Sequence, residues 1–171
     1  MEDTRNVIDY FKYWEVDAIK ANLDARRHNF SILISNLFND FNIGSIIRNS
    51  NAFLAKEVII YGKKQFDKRG TVGTHIYENL HHVKFVEDIV LPPDSILIGI
   101  DNVDGSLPIE TFQYPKNKHV VFAFGQEQVG LPKEIIDMCD ELLYIRQYGS
   151  VRSLNVGVAS GVVMYDYCSK M

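Results

Sequence analysis

The sequence predicts an α/β domain with a mostly parallel β-sheet and helices on both of its faces. Short apolar runs rich in β-branched and aromatic residues recur along the chain, and helix-like stretches lie between them. Such nearly unbroken apolar runs are typical of strands that are covered on both faces, as in a parallel sheet. The length of 171 residues fits one domain, and the 46% hydrophobic and 23% charged residues are ordinary values for a folded protein.

The predicted elements follow one another in a clear order. Val7 to Arg27 mixes apolar and charged residues at helical spacing without Gly or Pro, which predicts one amphipathic N-terminal helix. The strands that we predict are Phe30–Ser35, Val58–Tyr61, Val83–Val86, Ile96–Ile100, Val120–Phe124 and Leu142–Ile145. The helices that we predict after the first strand are Ile43–Leu54, Leu131–Cys139 and Ser153–Lys170.

Composition and motifs exclude several classes of protein. No apolar run reaches the roughly 18 residues that a membrane helix needs. The N-terminus lacks the basic and then apolar pattern of a secretion signal, so we expect a cytoplasmic protein. Cys139 and Cys168 are too few for a disulfide framework and too isolated for a zinc site. The Gly125–Gly130 stretch has the glycine spacing of a phosphate loop, but Leu131 and Pro132 occupy the positions where such a loop needs Lys and then Ser or Thr. We therefore do not expect an enzyme that hydrolyses nucleoside triphosphates.

Charge is unevenly distributed along the chain. The 18 Lys and Arg against 22 Asp and Glu give a net charge of −4, which weakens a nucleic-acid hypothesis. Ile46 to Gly70 nevertheless contains six basic and two acidic residues, whereas Val86 to Glu110 contains six acidic residues and no Lys or Arg. Two interpretations stay open: the basic region meets phosphates, or both regions are solvated faces of opposite sign.

Two loops that follow predicted strands carry polar residues where ligands bind in α/β sheets, beyond the carboxyl ends of the strands. In the first loop, Asn42 is predicted to cap a helix and Gly44 allows a close approach of backbone or ligand. Arg48 follows about one turn later, where its guanidinium favours phosphate oxygens. In the second loop, the carboxylate of Glu127 lies between two glycines, directly after a buried strand. The alternative interpretation is that these residues form only a helix cap, a solvated surface and a tight turn.

A third loop leads into the last predicted helix. Ser153 is predicted to be a cap or first-turn residue of that helix, and Asn155 follows two positions later. The helix is unusually rich in small residues, which permit very close packing of its backbone: Gly157, Ala159, Ser160 and Gly161.

The three loops together resemble one known family. NxGxxxR at 42–48, GQExxGLP at 125–132 and SLNVxxA at 153–159 resemble the motifs of the SpoU/TrmH family of RNA 2′-O-ribose methyltransferases, in the SPOUT class. The resemblance covers roughly residues 30–171 as a catalytic domain, with residues 1–29 as a short helical extension of the same single domain. It implies a C-terminal deep trefoil knot, a homodimer, S-adenosylmethionine as cofactor, tRNA or rRNA as substrate with tRNA slightly favoured, and no metal.

The resemblance also implies roles for individual residues. It assigns catalysis to Arg48, Asn42, Glu127, Ser153 and Asn155. It assigns cofactor binding to Ile100, Asp101, Gly125, Gln126, Glu127, Ile145, Ser153 and Leu154. We expect RNA contacts from Arg48, Lys63, Lys64 and Arg152. The family usually has Asn where this chain has Gln126, and the extra methylene is tolerable if the backbone there does the binding.

Two expectations about RNA follow from the chemistry of these side chains. A guanidinium stays protonated at neutral pH, so Arg48 is expected to fix a phosphate and stabilise a developing alkoxide rather than act as a base. Dimerisation is expected to join the region from Arg48 to Arg69 with Arg26 and Arg27 in one basic surface.

The alternative function is a non-catalytic RNA- or nucleotide-binding module on the same fold.

Overall fold

The computed structural model describes residues 2–38 and 41–171. Its helices are α1 (Val16–Asp24), α2 (Asn42–Ala52), α3 (Lys133–Ile136) and α4 (Val156–Lys170). Its strands are β1 (Phe30–Asn36), β2 (Val58–Gly62), β3 (Leu80–Val83), β4 (Ser95–Ile100), β5 (Leu107–Pro108), β6 (His119–Phe124) and β7 (Glu141–Tyr144). None of the helices in these two ranges is long and apolar enough to cross a membrane.

The strands within the described ranges form one parallel sheet in the order β3-β2-β1-β6-β4-β7-β5. At its centre, Ile32 of β1 lies opposite Val58 of β2 and Phe122 of β6. Every residue of β1 and of β6 is buried, as expected for strands with neighbours on both sides and layers on both faces. Because the strands are parallel, their carboxyl ends meet at one edge of the sheet.

Helices cover both faces of this sheet, which confirms the predicted α/β architecture. On one face, Ile46 of α2 and Met164 of α4 pack in the core that contains Phe30 and Phe122. On the other face, Ile135 of α3 packs in a smaller core with residues of β1, β2, β4 and β6. The burial of these aliphatic and aromatic side chains is the main term that stabilises the layers.

The prediction of one long N-terminal helix is wrong. A 3₁₀ turn at Asp9–Phe11 precedes α1, and Tyr13 between them has a φ of 67°, a value that ends a helix. The carboxylate of Asp3 accepts a hydrogen bond from the Tyr13 backbone N–H at 2.8 Å, which holds this break. Phe11 still packs against the helix that follows, because it lies in one buried cluster with Ile19.

The prediction for the third strand is displaced. The strand runs over Leu80–Val83 rather than Val83–Val86, and Val86 begins a 3₁₀ turn. The register explains the difference, because Val83 is the last residue that pairs with β2, opposite Tyr61. The apolar signal at Val86 comes from packing against the smaller core, not from strand pairing.

Two helix starts also differ from the predictions. Asn42 is the first residue of α2, and Phe41 occupies the N-cap position without a side-chain cap bond. Ser153 lies before the N-cap of α4, and the cap is Asn155, whose side chain accepts a hydrogen bond from the Val158 N–H at 3.2 Å. In neither place does the side chain that we predicted as a cap perform that role.

Candidate active site at the carboxyl edge of the sheet

The ends of β4, β6 and β7 surround a cavity at the carboxyl edge of the sheet. All of the residues predicted to bind a cofactor line this cavity, namely Ile100, Asp101, Gly125, Gln126, Glu127, Ile145, Ser153 and Leu154. The parallel sheet brings them together, since the loops after these three strands leave from the same edge.

The walls of the cavity are largely apolar, with a few polar groups. The fully buried ring of Phe124 lines it together with Ile100 and Leu154. Gln147, which the sequence analysis did not single out, also lines it. The side-chain oxygen of Gln147 is buried and has no hydrogen-bond partner within the described residues. A buried acceptor without a donor costs free energy, so this oxygen favours a bound molecule that carries a donor.

Asp101 lines the cavity while its carboxylate holds the loops together. One oxygen accepts a hydrogen bond from the Leu131 N–H and the other accepts one from the Asn102 N–H, both at 2.8 Å. Gly130, beside Leu131, has a φ of 69°, and a Cβ there would lie 2.6 Å from an Asp101 oxygen. The approach of these two loops therefore depends on glycine at this position.

Gln126 links the cavity to the end of β1. Its side-chain oxygen accepts a hydrogen bond from the Leu37 N–H at 2.9 Å. Its backbone forms a tight turn, because the Gly130 N–H donates to the Gln126 carbonyl at 2.7 Å. The side chain thus holds the loop after β1, and the departure from the usual Asn of the family falls at a position that joins two loops.

A polar cluster beside the cavity joins the three motif loops. The amide of Asn42 donates to Glu127 at 2.8 Å, and the amide of Asn155 donates to the Asn42 oxygen at 2.9 Å. Asn155 also lies 3.4 Å from both Glu127 oxygens. A Cβ at Gly157 would lie 3.0 Å from the Ser45 side chain and 3.1 Å from the Asn155 oxygen, so a small residue is needed where α4 meets this cluster.

Arg48 lies along a surface groove that starts at this cluster. The groove runs between α2 and α4 and is lined by Arg48, Ser45, Asn155 and Gly157. Arg48 is exposed, and its guanidinium makes no hydrogen bond or ion pair to residues 2–38 or 41–171. Its donors are therefore available to a ligand at the groove.

The remaining predicted site residues lie at the carboxyl edge of the sheet, and of these Ser153 lines the cavity while Lys63 and Lys64 do not. Ser153 is exposed at the cavity, and Arg152 is exposed beside it, where its carbonyl accepts a hydrogen bond from the Asn102 amide at 3.4 Å. Lys63 and Lys64 follow β2, and the backbone of Lys63 is held by both the carbonyl and the amide of Asn36. In the described parts of the chain, no three His, Cys, Asp or Glu side chains are grouped to hold a metal ion.

Arg27 is not part of a basic surface, contrary to the prediction. Its side chain is 3% exposed and pairs at 2.9 Å with Glu78, whose side chain is fully buried. The same guanidinium donates to the carbonyls of Ala55 and Tyr77. The buried pair connects the segment after α1 to Glu78 in the interior. Each charge is compensated by the other, since water does not reach them there.

The chain is similar to known proteins both in sequence and in fold. Residues 29–165 match the model of a family described as the SpoU rRNA Methylase family. A tRNA (guanosine(18)-2′-O)-methyltransferase of Aquifex aeolicus is 26% identical over 151 residues, which cover 84% of this chain and 71% of that protein. The crystal structure of an A. aeolicus TrmH/SpoU tRNA modifying enzyme shares the fold, with a TM-score of 0.75 at 22% identity over 91% of this chain and 81% of that one.

A solved structure with a bound cofactor is also similar. The AdoMet-bound rRNA methyltransferase of Sinorhizobium meliloti has a TM-score of 0.74 to this chain at 25% identity. The match covers 87% of this chain but only 60% of the Sinorhizobium chain, so the relative has a substantial part without a counterpart here.

Proposed function

Because the chain belongs to the SpoU rRNA Methylase family, we propose that it transfers a methyl group from S-adenosylmethionine to a ribose 2′-hydroxyl of tRNA or rRNA, with tRNA slightly favoured. The position of Glu127 is the observation that supports this proposal most directly. Glu127 lines the cofactor cavity, and its carboxylate accepts a hydrogen bond from the amide of Asn42 in the polar cluster. The cavity and the cluster therefore share a wall, which is the arrangement that transfer between two bound molecules requires.

The cavity fits the cofactor by its chemistry. When bound, S-adenosylmethionine supplies an electrophilic methyl group on a sulfonium. Ile100, Ile145 and Leu154 offer apolar walls for an adenine ring, and the unpartnered Gln147 oxygen accepts a hydrogen bond from an amino group there. Asp101 keeps the loops that form this pocket in place through its bonds to Leu131 and Asn102.

The polar cluster and Arg48 hold the RNA in this proposal. Arg48 presents exposed donors at the groove beside Asn155, where it clamps the phosphate next to the target ribose and stabilises negative charge on the attacking oxygen. The proton of the hydroxyl passes to phosphate or to water, since a guanidinium is not a base at neutral pH. Asn42, Glu127 and Asn155 orient the ribose, and Ser153 contributes a hydroxyl at the rim of the cavity.

The proposal includes a C-terminal trefoil knot, which the strand order supports. β4 ends at Ile100 opposite Leu143 of β7, and β5 begins at Leu107 opposite the same residue. Residues 101–106 therefore lead the chain past the carboxyl end of β7, from one side of this strand to the other. In the proposed knot, the chain that leaves β7 crosses through this loop before it enters α4. Such a crossing is very rare in proteins. A crystal structure of the protein with S-adenosylmethionine would test the threading directly.

The proposal also includes a homodimer of single-domain chains that acts in the cytoplasm. Three apolar side chains on the outer side of α4 are exposed, namely Val158, Val162 and Tyr165. They line the same groove as Arg48, so a second copy on this face would complete the RNA site. Residues 30–171 form the catalytic part and residues 1–29 a short extension. Sedimentation equilibrium measures the assembly state.

One assay separates the enzyme from a binding module. The protein is incubated with S-adenosylmethionine labelled on the methyl group and with unmodified tRNA or rRNA, and alkali-resistant dinucleotides report ribose methylation. We expect labelled dinucleotides from the parent protein. Arg48→Ala should lower transfer by roughly 100-fold with cofactor binding unchanged, because the variant loses the phosphate clamp and the stabilisation of the developing charge but no contact in the cofactor cavity. Binding of both molecules by the parent without any transfer would favour the binding module instead.

A further inference from the structure

Two large aromatic side chains are exposed at the edge of the candidate site. Phe38 lies two residues beyond the end of β1 and is 65% exposed, and Phe41 precedes α2 directly and is 55% exposed. Neither belongs to a buried core cluster. Exposed aromatic rings next to a functional site are informative because they add nothing to the core and cost solubility.

A cation lies over one of these rings. The Arg69 guanidinium carbon is 5.9 Å from the centre of the Phe41 ring, within the range of a cation–π contact. Arg69 forms a bidentate pair with Asp67, in which Nε donates to Oδ1 at 3.0 Å and Nη2 donates to Oδ2 at 2.5 Å. The Arg69 guanidinium, paired with Asp67, thus lies over the Phe41 ring, and more than half of the Phe41 surface is exposed.

The turn that carries Arg69 is locked to the start of α2. A Cβ on Gly44 would lie 2.8 Å from the Gly70 Cα and 2.8 Å from the Asp67 carbonyl oxygen, so the two backbones are in direct contact. The turn therefore has a fixed position beside Phe41. The chain segment 63–69, which leads into this turn, is basic, because it contains Lys63, Lys64, Lys68 and Arg69 against the single acidic residue Asp67.

Phe41 is also connected to the polar cluster through the backbone. The next residue is Asn42, whose amide contacts Glu127. The exposed Phe41 ring, the Arg69 guanidinium and Asn42 of the polar cluster thus lie next to one another. Proteins that hold single-stranded nucleic acid combine these same elements, aromatic rings for the bases and cations for the backbone.

We propose that Phe41, with Phe38 three positions earlier in the chain, is a stacking platform for an unpaired nucleobase adjacent to the target ribose, and that Arg69 and the lysines of segment 63–69 hold its phosphates. The identity of the ligand as RNA rests on the proposed function. The occupant is a single strand rather than a duplex, because paired bases already stack on one another and present no free face. The basic surroundings favour a polyanion over an apolar protein segment.

The test compares two decamer RNA probes that differ only in their bases. Fluorescently labelled decaadenylate and an abasic ribose-phosphate decamer of the same charge are titrated with the parent protein and with Phe41→Leu. We expect the parent to bind decaadenylate roughly tenfold more tightly than the abasic strand, since stacking on an aromatic ring contributes substantially per base. Phe41→Leu should bind both probes equally, and Phe41→Trp should restore the preference.

The substitution at Phe41 is mild, and a matched control exists. Phe41 makes no side-chain cap bond and has ordinary helical backbone angles, so leucine retains the start of α2. Phe85 is a similar ring, 51% exposed and 5.0 Å from the Lys84 ammonium, but it lies after the edge strand β3. Phe85→Leu should leave the preference for decaadenylate unchanged.

The outcomes distinguish this inference from the proposed function. If Phe41→Leu keeps the parental preference, the platform is refuted, whether or not the protein methylates RNA. If the parent shows the preference but no methyl transfer, the platform holds and the proposed reaction fails. If neither probe binds while a protein partner protects Phe41 from solvent, the surface is a protein interface and the inference is wrong.

Discussion

Replacing Asn155 with alanine removes two different contacts of one side chain. The Asn155 oxygen caps α4 by accepting a hydrogen bond from the Val158 N–H, and its amide donates to the Asn42 oxygen at 2.9 Å. Serine at this position retains a cap acceptor but is too short to reach Asn42. The pair of variants Asn155→Ala and Asn155→Ser therefore separates the cap of α4 from the polar cluster.

The expected losses of stability follow from these contacts. A lost N-cap costs about 1 kcal/mol, and a lost neutral hydrogen bond costs about 1 kcal/mol. The free energy of unfolding should fall by about 2 kcal/mol in Asn155→Ala and by about 1 kcal/mol in Asn155→Ser. For a domain of this size each kcal/mol lowers the Tm by about 2–4 °C, so the expected shifts are about 4–8 °C and about 2–4 °C.

Thermal unfolding followed by circular dichroism measures the loss of stability, and methyl transfer to RNA measures the loss of the contact within the polar cluster. Both variants should lose transfer by at least roughly tenfold, because both lose the bond that places Asn155 against Asn42. Calorimetric titration with S-adenosylmethionine should show parental affinity in both. Parental transfer by Asn155→Ser would refute the role of the cluster, and equal Tm values for the two variants would refute the role of the cap.

Two further predictions concern the cavity and the core. Gly130→Ala should weaken S-adenosylmethionine binding at least roughly tenfold in calorimetry, because the new Cβ would meet Asp101 at 2.6 Å and the φ of 69° is unfavourable for alanine. Gly149→Ala, where a Cβ meets nothing within 4 Å, is the control, and equal affinities for the two variants would contradict the loop geometry. Acid should weaken the fold through His119, whose pKa burial lowers to about 4 while its ring nitrogens bond to Ser31 and Asn29 at 2.8 Å. The unfolded ring binds a proton near pH 6.5, so the free energy of unfolding should fall by about 2–3 kcal/mol as the pH drops from 6.5 to 4. Urea unfolding of the parent and of His119→Gln measures this slope, and a parental slope in the variant would rule His119 out as the cause.

The sequence predicts the centre of the sheet better than its margins. The central strands β1 and β6 appear within one residue of their predicted ends, because continuous apolar runs report burial on both faces. The edge strand β3 is displaced, since it contains His81 and His82 and its apolar neighbour Val86 packs elsewhere. β5 was not predicted because it is only Leu107–Pro108, and its pairing with β7 depends on a distant segment.

The candidate site shows a similar division. Local spacing singled out Asn42, Glu127 and Asn155 one by one, but their mutual contacts join positions separated by 85 and 113 residues. Only the resemblance to a family put them in one site. Gln147 could not be predicted from the sequence. What distinguishes it is a buried side-chain oxygen without a partner in the described residues, and this can be seen only in the structure. The roles of all these residues stay predictions until variants are measured.

The negative net charge is less of an obstacle to RNA binding than the composition indicates. Several acidic groups already have partners, since Glu78 pairs with Arg27 in the interior, Asp101 accepts from two backbone N–H groups, and Glu110 pairs with Arg146 at the surface at 2.7 Å. Arg48, in contrast, is exposed and makes no ion pair within the described ranges. The field that an approaching phosphate meets at this edge is therefore set by the local cations rather than by the formal sum of −4, because charges beyond about 8–10 Å are screened at physiological salt.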